Sequence, residues 1–210
     1  MTQISHSDKL FNMKRLLLIL ILILSFQTLV KADDIRDFEI EGMNVGDSLL
    51  NFMSLNEINS NTFENYFKNG KKRKYYATGF FDTDKYDQLE IYLKTGDNNF
   101  KIKAITGFKQ INNLQKCLSL KKEIVDEIQN LFIDIEPVTY DDVPHTFDKS
   151  GKSKQYQTAF LLKDHRAKDH IRIECTKWSK KMKKEKGFGD TLGISVFSTE
   201  TLEWVDKGYQ

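Results

Sequence analysis

The chain has 210 residues, 40% of them hydrophobic and 30% charged, with a formal net charge of +2. Without residues 1–32, which carry Lys9, Lys14, Arg15 and Lys31 against Asp8, the balance is 28 basic to 29 acidic side chains. Such a length suits one domain or two small lobes. The near-neutral charge excludes a dedicated nucleic-acid binder, and the apolar content excludes a disordered chain.

The N-terminus reads as an export signal. Met13-Lys14-Arg15 is a basic start, Leu16 to Leu24 is an unbroken run of leucine and isoleucine, and Val30-Lys31-Ala32 offers small residues at a cleavage site. The fifteen uncharged residues from Leu16 to Val30 fall short of the roughly 20 that a spanning helix needs. Residues 1–32 are therefore expected to be a cleaved signal peptide, with Met1 and Met13 both open as the start. Residues 33–210 form the mature α+β domain, with 33–111 and 112–210 as possible lobes, and a periplasmic location is expected.

Phe38 to Glu41 alternates like a short half-buried strand, and Gly42 and Gly46 then break the chain. Asp47 or Ser48 is expected to cap a helix carrying Leu49, Leu50, Phe52 and Met53, and Ser54 with Glu57 spells a capping box. Asn59 to Lys74 reads as a polar loop ending in Lys71-Lys72-Arg73-Lys74. Tyr75 to Phe81, Leu89 to Lys94 and Phe100 to Ala104 read as strands. The turn Thr95 to Asn99 joins the last two as an antiparallel hairpin.

Asn112 and Asn113 precede a clear amphipathic helix. Cys117, Leu118, Ile124 and Ile128 lie on its apolar stripe, with Lys121 and Lys122 off it. Pro137 ends this region, and Asp141 to Ser153 reads as an exposed loop. Three more strands are expected at Tyr156 to Leu162, Ile171 to Cys175 and Leu192 to Val196, with a last helical turn at Thr201 to Val205. Helix followed by three strands thus occurs twice. That pattern predicts an α+β fold of two helix-then-antiparallel-sheet units packed as a two-layer domain.

Cys117 and Cys175 are the chain's two cysteines. In an oxidising compartment they form one bridge most simply, constraining the unfolded chain by about 4 kcal/mol on the loop-entropy model. Two free thiols, or a metal site completed by His170, are the competing readings. No CxxC or HxxxH spacing supports the metal, and no cofactor motif is present.

Gly46-Asp47-Ser48-Leu49 resembles the nucleophile block of the GDSL esterases. That likeness would make Ser48 the nucleophile and His145, in Asp142-Val143-Pro144-His145, its base, with Gly96 and Asn98 at the oxyanion. The family's serine follows a buried parallel strand, whereas the residues before Gly46 are partly charged, and Gly96 and Asn98 sit at a hairpin tip. Helix capping is the plainer role for Ser48. His145, His165 and His170 read as surface histidines. Lys71 to Lys74 and Lys180 to Lys186 read as solvated basic loops, with an anionic glycan or lipid as the functional alternative. Trp178 and Trp204 raise the option of sugar stacking.

The segments Phe38 to Met43 with Gly46 to Leu50, Asp148 to Ser153, and Cys175 with Trp178 resemble an uncharacterised group of exported proteins from small-genome marine bacteria. That resemblance implies a bacterial, periplasmic home and assigns no activity. The expectation is a non-enzymatic envelope protein that binds another envelope protein or a ligand, with an ester hydrolase using Ser48 as the alternative.

Overall fold

The computed structural model describes residues 38–63, 67–68, 71–81, 83–132, 134–162 and 169–206. The expected signal, residues 1–32, lies outside the described residues, as does His165. The first short helix is α1 (Leu55–Ser60), followed by a two-residue hairpin of β1 (Phe67–Lys68) and β2 (Lys71–Lys72). The main sheet begins with β3 (Tyr75–Phe81), β4 (Gln88–Lys94) and β5 (Ile102–Gln110). After α2 (Leu114–Leu131) come β6 (Val138–Pro144), β7 (Lys154–Leu161), β8 (His170–Lys177), α3 (Lys180–Lys186), β9 (Thr191–Phe197) and α4 (Thr199–Asp206).

All seven main strands join one sheet in the order β3-β4-β5-β9-β8-β7-β6, and every pairing is antiparallel. The α+β class holds, two helix-then-sheet units are not clearly set apart, and the two halves share one sheet. The first half supplies the three-stranded meander β3-β4-β5 and the second the four-stranded meander β6-β7-β8-β9, with β9 hydrogen-bonded to β5 on one side and β8 on the other. A continuous sheet satisfies the backbone groups of both meander edges at once, which two separate sheets would leave unpaired.

One face of the sheet is covered by α2. Asn113 caps this helix by accepting from the Lys116 amide. Its buried Cys117 and Ile128 join a core with Ile91, Ile105, Phe160, Ile171 and Val196. The Cys117–Cys175 disulfide is formed, with the two Cα atoms 6.0 Å apart, and ties α2 to β8. Lys121, expected on the solvent side, is buried instead. Its stem packs inward and its Nζ donates to Thr158 Oγ1 at 2.9 Å.

Several local expectations give way to tertiary structure. Phe38 to Glu41 is no strand: Ile40 and Met43 close a tight turn through reciprocal backbone bonds, with Glu41 and Gly42 at positive φ. The predicted helix at Leu49 is a single 3-10 turn, Leu49–Asn51, whereas the Ser54–Glu57 capping box is present on α1. The expected loop at Asn59 to Lys74 holds the end of α1 and the β1–β2 hairpin. The expected loop at Asp141 to Ser153 starts with the second half of β6, whose register shifts between Tyr140 and Val143. A bulge and Pro144 are tolerated there because β6 is an edge strand. Lys180 to Lys186 is the helix α3, not a loop. Ser179 caps it, and Met182 supplies its single buried contact.

Candidate functional site

Strand alternation puts a second set of side chains on the face that α2 leaves open. Their registers align across the sheet in the row Gly79–Glu90–Thr106–Ser195–Arg172–Ala159. A neighbouring row runs Phe81–Gln88–Phe108–Gly193–Glu174–Gln157–Tyr140. These two rows form the floor of a wide groove of about 1100 Å³.

The floor is polar and internally paired. Thr106 Oγ1 donates to Ser195 Oγ at 2.9 Å, and both residues are buried. Glu90 accepts from Gln88 Nε2 at 2.7 Å and from the Tyr92 hydroxyl at 2.8 Å. Glu174 accepts from the side-chain amides of Gln155 and Gln157, each at 3.2 Å. Burial raises the pKa of both carboxyls, opposed by these hydrogen bonds. For Glu174 the charge of Arg172 also opposes the shift, while among the described residues no such cation acts on Glu90.

The two ends of the groove are aromatic. At one end Trp204 of α4 packs on Tyr75 and Tyr92, with ring centroids 5.5 and 6.1 Å apart. At the other end Trp178 lies 4.3 Å from His145 and 4.6 Å from Phe188. Trp204 is thus a packing residue, and Trp178 has two ring neighbours of its own, so neither is the free indole platform that sugar stacking would need. Three exposed rings line the groove: Phe81 at 63%, Tyr140 at 52% and Phe147 at 48%.

A loop held by Asp148 supports the second aromatic end. Its carboxylate accepts from the hydroxyls of Ser150, Ser153 and Ser179 and from the amides of Ser150 and Ser153. Those donors hold the carboxyl well below the usual range, the Ser153 hydroxyl foremost. Because Ser179 also caps α3, this one anion fixes the loop to the helix. His145, in the same loop region, has its pKa lowered to about 4 by burial.

The proposed hydrolase residues are placed apart in the fold. Ser48 bridges to Lys101 beside the β4–β5 turn, and its hydroxyl donates to the Asn99 carbonyl at 2.7 Å. It is the N-cap by backbone position, without a side-chain cap bond, and Asp47 accepts from the Asn44 amide instead. His145 Nδ1 accepts from the Phe147 amide. His145 lines the groove and Ser48 does not. Gly96 takes a positive φ of 80° in the β4–β5 turn. His170 is buried, its ring 5.4 Å from Phe197, and contributes to the groove instead of a metal site with the bridged cysteines.

Of the first basic cluster, Arg73 lines the groove and its buried Nε has no hydrogen-bond partner among the described residues. The groove itself was not evident from sequence. Glu90, Arg172 and Glu174 sit at the polar positions of alternating strands, which normally face water. The usable signal was the run of amides and small residues on that face: Gln88, Gln155, Gln157, Thr106, Gly193 and Ser195. No helix among the described residues is long and apolar enough to cross a membrane. No protein-family model, curated protein or solved structure matches the chain.

Proposed function

We propose that this chain is an exported, non-enzymatic binding protein of the bacterial envelope, taking a small ligand into the groove on the open face of its sheet. The observation that carries this reading is the inverted finish of that face. Hydrogen-bonding groups are buried at the centre, with Thr106 and Ser195 each 3% exposed, while large rings lining the groove are exposed. A sheet face that merely met water would show the reverse, because burying polar groups costs free energy unless something repays it. Small-molecule sites combine apolar walls with a few convergent polar groups in this way. The disulfide and the signal-like start support an oxidising compartment. Ser48, with its hydroxyl on a backbone carbonyl, lends no support to the hydrolase.

The test is native mass spectrometry of the protein after exposure to a periplasmic extract, followed by washing. A retained small molecule, lost in the ring variants Phe81→Asp and Tyr140→Asp, is the expected result. Retention unchanged in both variants, or capture of a protein that both variants still bind, would overturn the assignment of the groove.

A further inference from the structure

The two carboxylates on the groove floor are not equivalent, and the difference selects a ligand. Glu174 shares its strand with Arg172, whose charge acts on it. Glu90 is oriented by Gln88 and Tyr92, two neutral donors, and has no ion pair among the described residues. Arg172 lies three strands away in the same row, about 14 Å by strand spacing. Arg73 also lines the groove, but it precedes β3 and lies six residues before Gly79, the partner of Glu90. Asp87 is paired with Lys109, and Lys186 and His145 belong to the α3 end.

Aromatic rings surround this uncompensated carboxylate. Gly79, directly opposite Glu90, leaves the space where a side chain would stand to the ring of Phe63: a Cβ there would meet Phe63 Cζ at 2.3 Å. Phe81 and Phe108 flank Gln88 on the two neighbouring strands, and Tyr92 follows on β4 itself. All four rings line the groove together with Glu90. A half-buried carboxylate in a groove lined by aromatic rings favours a cation, which gains both the ion pair and the attraction of the ring quadrupoles. A carboxylate keeps lone pairs to spare after accepting two hydrogen bonds, so the existing partners need not leave.

We infer that the Glu90 side of the groove binds an organic ammonium ion with an apolar body, the nitrogen on the Glu90 carboxylate and the body against Phe63, Phe81 and Phe108. This inference rests on the groove being the binding site. The balancing charge is already in place, so a neutral or anionic ligand of the same shape gains less.

The experiment compares three probes of similar size on the full mature protein: phenethylammonium, 2-phenylethanol and phenylacetate. Binding is followed by amide chemical-shift changes. Saturable binding of phenethylammonium at β3, β4 and β5, at least tenfold tighter than the other two, is the expected result. Glu90→Gln keeps the shape and should weaken it at least tenfold, while Glu174→Gln should change it less than threefold. Equal binding of 2-phenylethanol or phenylacetate in the groove would overturn the cation and leave the groove reading intact. So would the absence of phenethylammonium binding while the extract ligand is still retained and is lost in the ring variants. Phenethylammonium that binds elsewhere, with retention unchanged in the ring variants, would overturn both. The three-probe comparison needs no variant, so it decides even if Glu90→Gln fails to fold.

Discussion

On the covered face of the sheet, Ile91, Ile105, Val196, Ile171 and Phe160 form one row, each at most 1% exposed. One residue along each strand, on the open face, the matching row is Glu90, Thr106, Ser195, Arg172 and Ala159. The same backbone therefore carries a stabilising layer and a chemically varied one, separated only by the period-two alternation of β structure. The helix and the disulfide belong to the first layer, and the partly buried polar groups of the groove floor belong to the second. Stability should therefore be concentrated on one face and ligand specificity on the other.

The largest expected effect tests the covered face. Replacing Cys117 and Cys175 by alanine together should cost about 4 kcal/mol, the loop-closure constraint of a 58-residue separation, read by urea denaturation. A loss under about 1 kcal/mol would mean that the α2–β8 contact is held by packing alone. Next, Ile105→Ala should cost about 2–5 kcal/mol as a core truncation. Its neighbour on the other face, Thr106→Val, should cost about 1 kcal/mol by removing the donor to Ser195. Equal losses at the two positions would erase the distinction between the faces.

Smaller effects come from titration. Burial holds the folded-state pKa of His145 near 4, below the usual value of about 6.5. The unfolded chain then takes up the proton first, so stability should decline as pH falls from about 6.5 toward 4. His145→Phe should flatten that slope in denaturation curves. For Glu90 the folded pKa is raised, so stability is lost as pH climbs from the ordinary glutamate range through the raised value. Glu90→Gln should therefore leave stability at neutral pH unchanged or increase it by up to about 1 kcal/mol, while weakening cation binding. The smallest effect expected is on ester hydrolysis: Ser48→Ala and the parent protein should show the same background rate with p-nitrophenyl acetate.

Much of the scaffold was legible because its signals are local or periodic. The strands at Tyr75 to Phe81, Leu89 to Lys94 and Ile171 to Cys175 follow alternation, α2 follows its apolar stripe, and the last helical turn is α4. The cysteine pair was readable from its isolation and its inward positions. The misses share one cause: the chain's own pattern was overridden by distant partners. Strand β6 hides behind Asp141, Asp142 and Pro144 because an edge strand tolerates a bulge and a proline. Helix α3 hides behind five lysines because only Met182 needs to be buried. The groove was illegible because a glutamate between two apolar strand residues looks solvent-facing. Only the register of seven strands reveals that Glu90 and Arg172 share one floor.

The central claim is that the open face receives the ligand, and mapping amide chemical shifts on adding the molecule retained from periplasmic extract tests it most directly. Changes concentrated on β4, β5, β8 and β9 around Glu90, Thr106, Arg172 and Ser195 are predicted. Changes confined to α2, or to Ser48 and the β4–β5 turn, would contradict it.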